Sequence, residues 1–234
     1  MNISEKLTEI AENQQGVYDA GLEAGRAEGG YNEGLAAGIE QGYEQGKQEA
    51  EAVISSLIDR SVTKIVIPDG VTKVGAGAFF RTASLEEVIV PEGVTVIETY
   101  AFGACTNLKR ITLPNTLTTI QNDSFGSAGS ASGIDEFIIP DSVISIGYNA
   151  FSGSGVKKFV VSKNLTTIQE GTFTNCKKCM VYDFSKHERV PVLGQVYSFN
   201  GIPADCRIYV PESLYDEWII ATNWVQYADR IVAV

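Results

Sequence analysis

The sequence predicts a mainly β fold: a solenoid of stacked parallel coils, closed by a C-terminal helical cap and preceded by an N-terminal α-helical segment. Three observations carry this reading. Five blocks of 22 to 26 residues align over residues 62–178, and a period of that size belongs to repeat architectures. Inside every block the same spacing recurs between a proline position and a phenylalanine. Residues 1–60 lack the blocks and carry heptad-like and glycine periodicities instead. The chain therefore divides into residues 1–28, a coiled-coil-like helix; 29–60, a glycine-periodic helix or linker; 61–205, the solenoid; and 206–234, its cap.

The blocks begin at Val62, Leu85, Leu108, Ile134 and Val156. Pro68, Pro91, Pro114, Pro140 and Ser162 each precede a phenylalanine by eleven residues: Phe79, Phe102, Phe125, Phe151 and Phe173. Val74, Ile97, Ile120, Ile146 and Ile168 lie six residues after the proline position. Stacked coils need superposed core rungs, whereas their outer loops can vary in length. The segment "GSAGSASG", residues 126–133, makes the third block the longest and is expected to be an exposed loop without core side chains.

Alternation before the proline reads as a short strand. Ile65 and Ile67 would point inward, as would Val88/Val90, Ile111/Leu113, Phe137/Ile139 and Phe159/Val161. The proline ends that strand, turn residues follow, and a second short strand such as "VTKVG" leads to the phenylalanine turn. One outward position runs Lys64, Glu87, Arg110, Glu136, Lys158, so each charge faces its opposite if the coils stack in register. The next runs Val66, Ile89, Thr112, Ile138, Val160. That apolar, β-branched row reads either as plain β-propensity on a sheet or as a partner-binding surface.

At these residues the chain resembles the BspA-like leucine-rich repeat family. The resemblance implies a leucine-rich-repeat solenoid with parallel strands, and a role in surface adhesion and binding rather than catalysis. Residues 179–205 read as a degenerate sixth coil. The end, from Ile208 to Val210 and Pro211, starts as another strand and is expected to turn helical from about Glu212. A solenoid needs a terminal cap, and Trp218, Trp224 and Tyr227 are the candidate cap core.

Candidate chemistry is sparse. Cys105 and Cys176 lie three residues after the coil phenylalanine, where other blocks have Thr82, Ala128 and Ser154. Cys179 and Cys206 read as first-of-coil residues. The thiols are therefore structural, with a zinc or disulfide site as the alternative. His187, the single histidine, reads as a loop residue, and no catalytic, metal or cofactor site is assigned. The net charge of −11 argues against nucleic acid and against anionic lipid. No run of 18 apolar residues suggests a membrane span.

In the N-terminal region, Ile3, Leu7, Ile10, Gln14 and Val17 fit a/d positions of about three heptads. Gly30, Gly34, Gly38, Gly42 and Gly46 recur at every fourth residue, followed by Tyr31, Leu35, Ile39 and Tyr43. Each glycine costs about 1 kcal/mol relative to alanine in a helix, so this stretch is either a helix packed on copies of itself or a semi-flexible tether. Its glycine period is similar to the GxxxG runs of the flagellar export stator family. The whole N-terminus resembles that of tail-module proteins from phages of Gram-positive gut bacteria. That resemblance implies a virion protein of the tail or baseplate appendage type, a homo-oligomer with a trimer favoured. Residues 1–60 would attach to other virion proteins, and the solenoid would touch a host surface protein or glycan. The start "MNISEKLTEIAENQQ" has neither a basic nor an apolar stretch typical of a secretory signal, which suits a protein made in the host cytoplasm and released by lysis. The alternatives are a bacterial cell-surface adhesin and an intracellular assembly scaffold.

Overall fold

The computed structural model describes residues 62–234. The N-terminal helix, the glycine-periodic segment and the oligomerisation residues Ile3, Leu7, Ile10, Gln14, Val17, Gly30, Gly34, Gly38, Gly42 and Gly46 lie outside the described residues.

Each coil contributes a first strand, a second strand and a phenylalanine turn. The first strands are β1 (Lys64–Val66), β3 (Glu87–Ile89), β5 (Arg110–Thr112), β7 (Phe137–Ile138), β9 (Lys158–Val160) and β11 (Val181–Asp183). The second strands are β2 (Lys73–Val74), β4 (Val96–Ile97), β6 (Thr119–Ile120), β8 (Ser145–Ile146), β10 (Thr167–Ile168) and β12 (Val192–Leu193). Pairing is parallel and joins equivalent positions, as in Lys64↔Glu87↔Arg110 and Val74↔Ile97. Strands of two or three residues cannot stand alone; their stability comes from the coils above and below.

The phenylalanine turns hold the stack together. Phe79, Phe102, Phe125, Phe151, Phe173 and Phe199 form a spine whose neighbouring rings stack at 5.2, 5.3, 5.3, 5.7 and 5.3 Å between centroids. Their backbones are tied laterally too: Phe79 N–H donates to the Ala101 carbonyl at 2.8 Å, and Phe102 N–H to that of Ser124 at 2.8 Å. Phe199 completes the spine, so residues 179–205 are a true sixth coil despite their altered sequence. From the fourth coil onward a second aromatic row, Phe137, Phe159 and Tyr182, interleaves edge-on with the spine.

In the first five turns two residues adopt a left-handed backbone, two before and two after the phenylalanine; in the sixth only Gly201 does. Glycine or asparagine fills many of these places, for example Gly77, Asn149, Gly171, Gly153 and Asn175. Tyr100 (φ 58°), Arg81 (φ 61°) and Ala104 (φ 56°) occupy the same places without glycine's freedom. Each is strained by about 1–2 kcal/mol.

The segment at 126–133 is not the exposed loop expected from its composition. Ala128 is fully buried in the core. Gly129 N–H donates to the Cys105 carbonyl at 3.0 Å, and Gly155 N–H to the Ala128 carbonyl at 2.8 Å. Ala131 N–H reaches the Thr106 carbonyl at 2.9 Å, while the Ser132 hydroxyl reaches that of Leu108 at 2.8 Å. The extra residues thus take up carbonyls where the second coil passes into the third, and the first-strand ladder breaks beside them. One sheet runs β1-β3-β5, and a second begins at β7. The second-strand ladder β2-β4-β6-β8 crosses the same level unbroken.

The cap also departs from the expected helix. β13 (Arg207–Val210) continues the second sheet, and the helix α1 covers only Tyr215–Ile220, with 3₁₀ segments at Glu212–Leu214 before it and Val225–Arg230 after it. The chain then returns as β14 (Ile231–Ala233), parallel to β13. Asn223, in a left-handed conformation (φ 66°), interrupts the helical run. The cap core is as expected: Trp218 and Trp224 are fully buried, 4.5 Å apart, and Trp224 Nε1 donates to the Pro191 carbonyl at 2.8 Å.

Candidate binding surface

The alternation of each first strand sends one row inward and leaves the other on the outside. The structure places Val66, Ile89, Thr112, Ile138 and Val160 on that outer side, with Val66 58% and Ile138 57% exposed. It does not bring them into one continuous row. Val66↔Ile89↔Thr112 lie side by side on the first sheet, and Ile138↔Val160 begin the row on the second. That second row continues through Asp183, Tyr209 and Val232.

The charges break at the same place. Lys64 and Arg110 both pair with Glu87, at 3.0 and 2.9 Å. Glu136 pairs with Lys158 at 2.9 Å, but Arg110 and Glu136 flank the break in the ladder. A second exposed row repeats the arrangement, with Glu86–Lys109 at 2.8 Å and Asp135–Lys157 at 2.6 Å. The Arg110 guanidinium, and then the Lys64 ammonium, hold the Glu87 carboxyl below its usual range. Lys157 does the same for Asp135. Such solvent-exposed pairs set register more than they add stability.

A further group of exposed side chains had no signal in the repeat. Phe80, Tyr100 and Tyr148 lie on the outside of the phenylalanine turns, 42%, 46% and 51% exposed. Their positions hold no shared residue type from block to block, so a periodic reading passes over them. Tyr197 lines a cleft of about 240 Å³ between the sixth coil and the cap, together with Asn200, Gln226, Tyr227 and Arg230. The donors there are already committed: Gln226 Nε2 and the Tyr227 hydroxyl to the Val196 carbonyl, and Arg230 to that of Pro203.

The four cysteines are buried free thiols. Cys105 Sγ donates to the Phe79 carbonyl at 3.0 Å, and Cys176 Sγ to that of Phe151 at 3.2 Å. Both thus bond back to the preceding coil phenylalanine, which explains the small-residue rung. Burial pushes both thiols up to about 12. Cys179 opens its coil as expected, but the pairing Val181↔Arg207 sets Asp205 opposite it, so Cys206 stands one residue nearer its strand. Cys206 nevertheless fills the same interior place, its N–H donating to the Pro203 carbonyl as that of Cys179 does to Cys176. His187 sits in a turn but is buried against Phe184 at 5.1 Å, and burial pushes its pKa down. Among the described residues, no group of three histidine, cysteine or acidic side chains is placed to hold a metal ion. Nor is any described helix long and apolar enough to cross a membrane.

Comparison with known proteins agrees with this architecture. The family model described as BspA type leucine rich repeat region matches residues 56–180 in six copies. No curated protein matches the sequence. Among solved structures, the pneumococcal vaccine antigen PcpA superposes with a TM-score of 0.57 at 19% identity, covering 74% of this chain. This chain spans only 40% of that protein's length. A leucine-rich repeat protein from Eubacterium ventriosum superposes with a TM-score of 0.50 at 19% identity, covering 69% of this chain and 57% of that one.

Proposed function

The chain belongs to the BspA-type leucine-rich repeat family, and on that premise we propose that it is a surface-binding protein whose solenoid recognises and whose residues 1–60 attach. The carrying observation is the contrast between the two sides of the first strands. The inner row fills the core, while the outer row stays apolar at Val66 and Ile138 where water contact would favour polar side chains. An apolar residue held outward beside ordered charges suits a contact surface with a polar rim.

In the finer form of this reading the protein is a virion component of the phage tail or baseplate appendage type. The a/d residues Ile3, Leu7, Ile10, Gln14 and Val17 and the glycines Gly30, Gly34, Gly38, Gly42 and Gly46 associate copies into a trimer attached to other tail proteins. The solenoid faces a host surface protein or glycan. The heptad spacing and four-residue glycine period support this form. Family membership favours a second form, a bacterial cell-surface adhesin.

Two experiments test these readings. The full chain, fluorescently labelled, should adhere to Gram-positive gut bacteria, and a Val66→Lys/Ile138→Lys variant should adhere less. Adherence to no cells would sink the binding role. The genes beside this one separate its two forms: tail, holin and endolysin genes support the virion protein, and their absence with a cell-wall anchoring system supports the adhesin.

A further inference from the structure

The exposed aromatic residues on the phenylalanine turns form a strip with its own chemistry. The Phe80 ring lies over Gly103, where a Cβ would come within 3.1 Å of its Cδ2 atom. The Tyr100 ring stands 5.5 Å from it at 59°, and the Arg81 guanidinium covers it at 5.0 Å. On the next coil Asp123 takes the place of Tyr100, two residues before the coil phenylalanine, and the Tyr100 N–H donates to the neighbouring Asn122 carbonyl at 3.2 Å. Asp123 N–H donates to the Tyr148 carbonyl at 3.0 Å, which sets Tyr148 beside it on the coil after that. Phe80, Tyr100, Asp123 and Tyr148 thus follow one another from coil to coil, and the three rings among them are exposed.

A second observation comes from the backbone. Arg81, Tyr100 and Asp123 all have positive φ, at 61°, 58° and 53°. At the equivalents of the first two, some coils have glycine, as at Gly153 and Gly77, and others small residues, as at Ala104, Ser127, Asn149 and Asn175. Aspartate is tolerated there, but a bulky residue such as Tyr100 or Arg81 with positive φ is an outlier, and such strain concentrates at ligand sites. Tyr100 adds nothing to the core, being 46% exposed, so folding does not account for a tyrosine there.

Resting on the surface-binding reading, we propose that the strip Phe80–Tyr100–Asp123–Tyr148 binds a neutral glycan. The exposed Tyr100 and Tyr148 rings take the apolar C–H faces of pyranose rings, the Phe80 ring under Arg81 supports Tyr100 from the side, and an ionised carboxylate accepts the sugar hydroxyl protons. The parallel coils repeat at about 4.8 Å, which spreads these groups along an extended chain rather than around a compact ligand. Anionic chains are disfavoured by Asp123 at the centre, by Arg81 already engaged on Phe80, and by the net charge of −11. Aromatic residues and arginine also occur in protein interfaces, but a protein partner would have to bury Asp123 at the centre of the strip, where aspartate is depleted.

The test uses the full chain and the variants Tyr100→Gly and Phe80→Ser on an array of immobilised neutral and anionic oligosaccharides. Tyr100→Gly puts glycine where the backbone favours it, so its melting temperature should equal or exceed that of the wild type. The expected result is retention of one neutral glycan class by the wild type, weakened at least tenfold in both variants. A blank array, retention of sulfated or carboxylated chains only, or undiminished binding by Tyr100→Gly overturns the proposal. On cells, periodate treatment should abolish adherence; its loss to protease treatment instead would point to a protein partner and overturn the proposal. If the wild type and Tyr100→Gly adhere equally to cells, the glycan strip fails and the surface-binding reading stands. If the wild type binds the array but no cell, the failure lies with that reading.

Discussion

Replacing Phe151 by alanine should destabilise the protein more than replacing Phe102, although both are fully buried spine residues. Phe102 stacks on Phe79 at 5.2 Å and on Phe125 at 5.3 Å. Phe151 stacks likewise on Phe125 and Phe173, at 5.3 and 5.7 Å. It also meets Phe137 and Phe159 edge-on, at 4.9 and 5.1 Å. Truncating a buried phenylalanine costs about 3–5 kcal/mol, which sets the scale for Phe102→Ala. Each edge-on pair adds about 0.5–1.5 kcal/mol beyond burial, so Phe151→Ala should lose about 1–3 kcal/mol more. For a domain of this size 1 kcal/mol moves the midpoint by about 2–4 °C, and the variants should separate by about 2–12 °C in a calorimeter. Urea titration followed by tryptophan fluorescence gives an independent ranking, because Trp218 and Trp224 report on the cap beyond the spine. Equal midpoints, or the lower one for Phe102→Ala, would refute the idea that the doubled aromatic core of the later coils is the more tightly coupled part.

Deleting Ala128, Gly129 and Ser130 restores a 23-residue block, yet it removes a core side chain and backbone bonds worth about 1 kcal/mol each; the midpoint should fall clearly. Ala104→Gly should raise stability by about 0.5–1 kcal/mol by relieving its left-handed strain, read as a higher urea midpoint with an unchanged slope. Burial lowers the folded pKa of His187 below the ordinary value, so the unfolded chain takes up its proton first. The stability this group contributes is present at neutral pH and is lost as pH falls through about 6.5; His187→Phe should flatten that part of the pH profile. Cys105 and Cys176, held near 12 by burial, should resist a thiol reagent at pH 8 until denaturant is added, and rapid labelling of the native protein would contradict their placement.

Much of the fold was legible because the core repeats. The fixed distance from the proline position to the phenylalanine sets where each ring must land, and the rings stack there from Phe79 to Phe173; Phe199 joins the stack although its coil lacks that spacing. Alternating charges fixed the register within each half, as the pairs of Glu87 with Lys64 and Arg110 show. The same alternation misled at Arg110 and Glu136, because charge order says nothing about a gap between strands. The final strand was hidden for another reason. Ile231–Ala233 follows a run rich in helix-compatible residues, and only its pairing with Arg207–Val210 makes it a strand.

The candidate surface was legible in one part and not in another, and the difference is physical. The outer row of the first strands shares the strands' period, so the repeat that builds the core also exposes Val66, Ile89, Thr112, Ile138 and Val160. The turn strip follows no such period. Its left-handed places hold glycine at Gly77, Gly153, Gly171 and Gly201 and other residues elsewhere, and there a bulky side chain costs folding stability without touching the core. Small residues have the opposite meaning at 126–133. Gly129 and Gly155 approach so closely that a side chain on Gly155 would collide with the Gly129 carbonyl. Small size there follows from tight packing, not from exposure. In a solenoid the informative departures are therefore of two kinds: small residues where coils crowd together, and large strained ones where glycine would have served. Tyr100 and Arg81 are of the second kind. Because removing the Tyr100 ring relieves backbone strain, a loss of ligand binding in Tyr100→Gly without loss of stability would separate the recognition role of that position from its role in the fold.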